Sequence, residues 1–525
     1  PVNQTQIPLY VDFAKDGHLA VCGNATSGKS TFLQTLIWSL INMYTPAQLN
    51  VYAIDYSNHM LQAFEEDKHI GGIMYENDTE KTEKFFYMIS DILKNRKKTV
   101  RGGSFGQYIR AHGYVMPAIV AVIDNYSSFR EKTDNKYENI IWELSRDGAA
   151  FGIFLVISSG GFGSSEIQNK IADNIRNVIT LDMGDKLRYI DLLRTSHIDI
   201  LPEQNRKGRG LVTADGTILE FQTAVCMEAD DDYERSEKIK SACEDMNLHF
   251  DGAGAAPVPE IPEKPTWFSL SENPQFNEAL ETGDLLPFAY EQKTASLYSI
   301  DLSDTFCYAI SGKSRSGRTE TLKVIAAAAA QGNGDLCIID SPDGQLKHFA
   351  AKLDCAYVSS REELFDFAKE LAEIFKTRNR KKRELLESGA EDAEIYRKMC
   401  SERRKWIFVS DFASFLETVY KSGEKIGSMA PFFENILEKG RLHNIYFVFD
   451  INTDETVSIL SRKLYGTVSG YRTGVHLGGA LSNQKIFDCS SIPYVEQTKV
   501  YKPGVGMAFD ADGATKIVLP SSKGV

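Results

Sequence analysis

The sequence predicts an α/β protein of two tandem domains, each a mostly parallel sheet flanked by helices. Three observations carry this. A glycine-rich loop sits between an apolar strand-like run and a helical stretch, apolar runs alternate with helical segments along the chain, and the same landmarks recur in the same order in the C-terminal half. Strands alternating with helices imply a sheet covered on both faces, with ligands bound at the carboxyl ends of the strands.

The glycine-rich loop is GNATSGKS, Gly23 to Ser30, between the run His18 to Cys22 and the helix-like stretch Thr31 to Leu40. Glycines let the backbone turn its N–H groups onto a polyphosphate, Lys29 reaches the β and γ phosphates, Ser30 holds Mg²⁺, and the helix N-terminus adds its dipole. The candidate cradle for ATP is therefore Gly23, Asn24, Ala25, Thr26, Ser27, Gly28, Lys29, Ser30 and Thr31. The fold expected in each half is that of a P-loop nucleoside triphosphatase.

Length and composition agree with two such domains. At 525 residues the chain exceeds one core, since domains run to about 150 residues. With 42% hydrophobic residues packed cores are affordable, and no apolar run reaches bilayer-spanning length. The chain opens on Pro1 rather than Met, so a piece of a longer protein with its anchor upstream is expected. Eight cysteines without a CxxC pair point to a reducing compartment and no structural metal. A net charge of -13 disfavours nucleic acid as partner, because that binding relies on cations displacing counterions. The basic runs Arg378 to Arg383 and Arg403 to Lys405 read as solvated helix ends and turns.

In the second half TFCYAISG enters GKSRSGRT, Gly312 to Thr319. VYAID ending at Asp55 matches LCIID ending at Asp340, LKNRKK matches FKTRNRKK, and AIVAVID ending at Asp124 matches WIFVSD ending at Asp411. The unbroken runs GIFLVISS and NIYFVFDIN suit strands buried on both faces. GRGLVTADGTILEF and GVGMAFDADGATKIVL each place a DG turn between β-like runs, a hairpin signal. Expected boundaries are 1–230 for the first domain, 231–264 for an acidic helix and Pro/Gly/Ala-rich linker, and 265–525 for the second domain.

In phosphate-loop enzymes a strand-end Asp holds the metal's water shell and a neighbouring acid deprotonates the attacking water. Asp124, with Ser30, fits the Mg²⁺ position, but Asn125 follows it, and an amide orients water without accepting its proton. Lys29, Asp124 and Asn125 thus form a catalytic set expected to turn over slowly. In the second copy Gly312, Gly317, Arg318 and Thr319 are the candidate binding residues. Arg318 replaces the lysine, and a forked guanidinium does not substitute for an ammonium in a narrow cradle, so a degenerate structural loop is favoured. Asp411 aligns with the metal carboxylate there and Phe412 follows it. Asp55 and Asp340 either line the cleft or cap the next turn. Arg146 and Arg441 are either solvated or fingers reaching a neighbouring subunit's phosphate. Ser158 and Ser159 end their strand where a γ-phosphate sensor sits.

The loop, Asp124, LKNRKK and SRDGAAFGIFLVISS together resemble the FtsK/SpoIIIE-like branch of ring-forming, RecA-like ATPases. Within it, the tandem repeat and GRGLVTADGTILEFQTA are similar to the C-terminal motor domains of the type VII (ESX) secretion ATPases EssC/EccC. The resemblance covers nearly the whole chain and is stronger in the first copy. It implies ATP and Mg²⁺ as cofactors, and cytoplasmic domains of a bacterial protein anchored in the cell membrane. It further implies hexameric rings stacked with other ATPase domains of the same parent chain, and export of small helical WxG-type proteins. Family motors that hydrolyse well carry Glu after the Asp and Gln after the sensor strand, where this chain has Asn125 and Gly160. Two rivals are a DNA-translocating motor, disfavoured by the acidic balance and the missing basic winged-helix module, and a largely non-hydrolysing, nucleotide-clamped adaptor.

Overall fold

The computed structural model describes residues 7–203, 206–214 and 216–525. The chain divides into two compact units, Pro1–Glu260 and Ile261–Val525. In the first, strands β1 (Leu19–Cys22), β2 (Leu49–Asp55), β3 (Ile70–Met74), β4 (Ala118–Asp124), β5 (Ile153–Ser159), β6 (Asn177–Thr180), β7 (Arg209–Ala214) and β8 (Thr217–Gln222) form one sheet. Its order is β3-β2-β4-β5-β1-β6-β7-β8. The first six strands are parallel, and β7 and β8 close the edge antiparallel. Asp215, in the expected DG turn between β7 and β8, lies outside the described residues.

The near-continuous apolar strands follow from burial on both faces. Alternate side chains divide cleanly: Ala20, Cys22, Ile119, Ala121, Leu155 and Ile157 join one core cluster, and Leu19, Val21, Val120, Val122, Phe154 and Val156 the other. The helix Lys29–Met43 covers the second face with Leu33, Leu36, Ile37, Leu40 and Ile41, the spacing of one helical stripe, and Pro46 follows its end. The helix Thr79–Thr99 covers the first face with Phe85, Phe86, Ile89 and Leu93.

That second helix ends on LKNRKK, and one residue of the motif is far from solvated. Arg96 is buried and donates to the carbonyls of Phe151, Gly152 and Pro117 at 2.9, 3.1 and 2.6 Å, pinning the helix to the chain entering β4 and β5. Burial holds its guanidinium down at about 10. Arg378 of the second unit repeats this on the carbonyls of His443, Asn444 and Arg403. The reading of the Arg378 run as a solvated face is corrected for that residue: its fork matches three carbonyls left open at the strand starts.

The helix and Pro/Gly/Ala-rich segment expected over 231–264 pack against the first unit up to Val258. The helix Asp232–Leu248 packs Ile239 and Cys243 into the first unit's core. Beyond it the Pro/Gly/Ala-rich chain runs along β3: Ala255 N–H donates to Lys68 O and Val258 N–H to Gly71 O, with Val258 buried. Gly71 admits this approach, because a Cβ there would lie 2.7 Å from Ala256 O. Composition forbade a core of its own, but not docking on an existing one.

The second unit contains β9 (Leu285–Glu291), β10 (Leu297–Asp301), β11 (Cys307–Gly312), β12 (Asp335–Ile339), β13 (Ala356–Val358), β14 (Lys405–Val409), β15 (Ile445–Asn452), β16 (Gly474–Leu477), β17 (Val505–Asp510) and β18 (Gly513–Val518). The order β13-β12-β14-β15-β11-β16-β17-β18 reproduces that of the first sheet, and the β9–β10 hairpin adds to β18. Among the described residues of either unit, no helix is long and apolar enough to cross a membrane.

Candidate functional site

The first loop leaves β1 at Cys22 and enters the helix at Lys29, at the carboxyl end of the parallel strands. Its turn needs positive φ at Thr26 (64°) and at Gly28 (103°), and Gly28 also faces Gly208 N, which a Cβ would meet at 3.0 Å. Gly23 N–H is anchored on Ser159 O at 3.1 Å and Asn24 N–H on Asp182 O at 2.9 Å. Ala25 and Thr26 are exposed at the tip, while Ser27 is buried and its hydroxyl has no hydrogen-bond partner among the described residues. Thr31 lies in the first helical turn. Lys29 folds back over this loop, donating to Gly23 O at 2.9 Å and Asn24 O at 2.8 Å. Burial lowers the pKa of its amine, opposed by the charges of Asp124, Cys22 and Glu166.

Ser30 and Asp124 meet directly: Ser30 Oγ donates to Asp124 Oδ2 at 2.6 Å. This pair of hard oxygens at the loop fits Mg²⁺, which takes a hydroxyl and a carboxylate and keeps most of its waters. Asp124 Oδ1 accepts from Ser158 Oγ, and Ser158 Oγ accepts from Asn125 N–H at 2.9 Å, so the strand-end serine orients the carboxylate. Asn125 has φ 60° and its side-chain amide donates to Tyr56 O at 2.9 Å. Asp55 serves the turn after β2, accepting from Ser57 N–H and Leu61 N–H at 3.0 and 3.1 Å. Burial, then Asp124, raises its carboxyl above the usual range.

Two residues that the sequence did not single out sit at the same edge. Glu166 Oε2 accepts from Ser159 Oγ at 2.5 Å, from Gly160 N–H at 3.0 Å and from Ser127 Oγ. Arg188 donates to Asn24 Oδ1 at 2.9 Å and to Gly160 O at 2.8 Å, joining the loop to the end of β5. Neither belongs to a motif; each reaches the loop only through the fold.

The second loop has the same turn, with Gly317 at φ 99° before the helix Arg318–Gln331, but its charge is internally satisfied. Arg318 forms an ion pair with buried Asp450 of β15 and donates to Lys313 O at 3.3 Å. Strand register explains how Asp450 comes to be there. Cys22 pairs with Ser159 in the first sheet and Ser311 with Ile451 in the second, so Asp450 occupies the place of Ser158. Ile123 pairs with Ile157 and Val409 with Phe449, so Ser410 occupies the place of Asp124. The alignment of Asp411 with Asp124 is therefore corrected by one residue. Asp411 caps the helix Phe412–Tyr420, accepting from Ser414 N–H at 3.1 Å. Carboxylate and hydroxyl have changed strands between the two units. Burial lifts the Asp450 carboxyl to about 7; Arg318 works against that rise and Asp411 with it. Asp340 caps its turn through Ser341 N–H and Leu346 N–H, and also accepts from Ser410 Oγ at 2.6 Å.

The two arginines considered as fingers lie before β5 and β15, at the strand ends remote from the loops. Arg146 grips Asp147 with Nε and Nη2 at 2.7 and 2.8 Å and stacks over Trp142; Arg441 is exposed and 3.8 Å from Asp392.

Comparisons with known proteins agree with this geometry. Residues 1–225 match the FtsK/SpoIIIE family profile. The ESX secretion system protein EccC of Geobacillus thermodenitrificans is 25% identical over 386 residues, 72% of this chain and 25% of that protein. The chain thus spans about a quarter of the length of such relatives. Among solved structures, EssC (ATPases 2 and 3) from the same organism superposes with a TM-score of 0.74 at 20% identity, over 97% of this chain and 92% of that one. Thermomonospora curvata EccC (ATPases 2 and 3) in complex with a signal sequence peptide gives 0.59 at 20% identity, over 100% and 91%. Residues 1–225 match the FtsK/SpoIIIE family, and the whole chain has the two-domain P-loop fold seen in the ATPase 2 and 3 pairs of EssC and EccC.

Proposed function

We propose that this chain is the ATP-binding motor module of a membrane-anchored type VII secretion ATPase, its two units cytoplasmic, in which nucleotide occupancy of the first unit is coupled to recognition and export of small helical WxG-type proteins. The observation that carries the reading is the first loop: a glycine cradle with an orphaned hydroxyl at Ser27, and Ser30 and Asp124 in contact below it. Lys29 would exchange its two loop carbonyls for the β and γ phosphates, and Ser30 and Asp124 would hold Mg²⁺, which when bound would supply positive charge to the phosphate oxygens. With no acid directly after Asp124, hydrolysis is slow and occupancy rather than rapid turnover is the signal.

The second unit binds partner protein instead of nucleotide, since Arg318 is committed to Asp450. The complex of an EccC relative with a signal sequence peptide supports protein recognition by such a domain pair. In the full assembly the module stacks with other ATPase domains of its parent chain, forms a homo-hexamer, and can place Arg146 or Arg441 against a neighbour's phosphate. The test is nucleotide retention and phosphate release by the purified chain and its Lys29→Ala variant. The parent retains ATP and releases phosphate slowly; the variant retains none. A parent that retains no ATP overturns the reading.

A further inference from the structure

We propose that Glu166 is the carboxylate that accepts the proton of the attacking water in the first unit, the role left open by Asn125. The inference rests on ATP binding at the Lys29 loop and extends it to the hydrolytic step.

Glu166 follows the end of β5 by seven residues, and the intervening loop returns its carboxylate to Ser159. Ser159 O holds Gly23 N–H, the first amide of the cradle, at 3.1 Å, so Glu166 is anchored one residue from the phosphate loop. Lys29 feels the charge of Glu166 as it feels that of Asp124. Three donors, Ser127 Oγ, Ser159 Oγ and Gly160 N–H, all converge on Oε2 and fix the side chain. Oε1 accepts none of these bonds and is the oxygen left to take a proton.

The residue at 160 makes this arrangement possible. A Cβ on Gly160 would lie 2.7 Å from Glu166 Oε1, so any larger residue displaces the carboxylate. Where a glutamine is expected after the sensor strand of a strong hydrolase, this chain has a gap, and Glu166 fills it. Asn125 meanwhile is turned to Tyr56 O. In the step, water oxygen bonds to the γ phosphorus, and the bond from that phosphorus to the β–γ bridging oxygen breaks with its electron pair leaving on ADP. The water proton passes to Glu166 Oε1 and then to solvent, giving ADP and inorganic phosphate.

The test uses the full chain loaded with γ-labelled ATP and Mg²⁺, following retained nucleotide and single-turnover phosphate release. Glu166→Gln keeps an accepting oxygen for the three donors and is expected to retain ATP like the parent while releasing phosphate about a hundredfold more slowly, the scale of general-base catalysis. Gly160→Ala, which displaces the carboxylate without altering it, is expected to slow release as well, and Glu166→Asp to recover part of it. Release by Glu166→Gln at the parental rate, with ATP retained, overturns the inference and leaves the binding reading intact. Failure of the parent to retain ATP overturns both.

Discussion

Arg318 and Asp450 show how two single-residue changes turn a phosphate loop into a closed one. Each alone places a charge in a buried strand-end site, and a buried charge left unpaired costs several kcal/mol. Together they satisfy one another. Asp450→Ser, which restores the residue type of Ser158, leaves Arg318 stranded and is expected to destabilise the second unit by about 3 kcal/mol, read as a lowered urea midpoint. Adding Arg318→Lys should recover most of that loss, because a lysine returns to its own loop's carbonyls as Lys29 does. A double variant as unstable as the single one would show that the pair does not act as a unit. Arg318 was legible as a departure from the loop pattern. Asp450 stood in plain sight within NIYFVFDIN, but only the register reveals that it faces the loop, and the same register moves the counterpart of Asp124 from Asp411 to Ser410.

At the scale of elements, the strand–loop–helix units were the most readable part of the chain, because doubly buried strands are nearly continuous apolar runs and each loop must end on a glycine with positive φ. The two loop glycines allow a graded prediction. Alanine at φ near 100° is strained by about 1–2 kcal/mol. Gly317→Ala meets no atom within 4 Å and should show that cost alone in thermal unfolding, whereas Gly28→Ala also drives a Cβ to 3.0 Å from Gly208 N and should cost more and lose nucleotide. Equal effects would contradict the loop geometry. What the sequence left unread was what such elements touch. The acidic helix at Asp232–Leu248 was itself legible, but not that it buries Ile239 and Cys243, a thin stripe, in the first unit's core. The β9–β10 hairpin has no partner in the first unit's pattern and so fell outside the repeat. The basic landmarks matched in both halves for a reason composition does not carry: Arg96 and Arg378 each close three strand-entry carbonyls.

For the molecule as a whole, pH acts through buried histidines in both units. Burial holds His18, His443 and His476 at about 4, against an ordinary value of 6.5. The unfolded chain then takes up protons first as pH falls, so their contribution is complete above about 6.5 and is lost progressively toward 4, about 2 kcal/mol for each at pH 5. Urea unfolding at pH 7.5 and 5 should therefore show both units weakened at the lower pH. Unchanged midpoints would contradict the burial of these rings.

The two loops differ in the same way under the proposed function: Lys29 is held only by loop carbonyls that a phosphate can replace, whereas Arg318 is paired with Asp450. Calorimetric titration of the full chain with ATP and Mg²⁺ measures this most directly. One nucleotide per chain, abolished by Lys29→Ala, is the predicted result; two nucleotides per chain, or binding that survives Lys29→Ala, would contradict it.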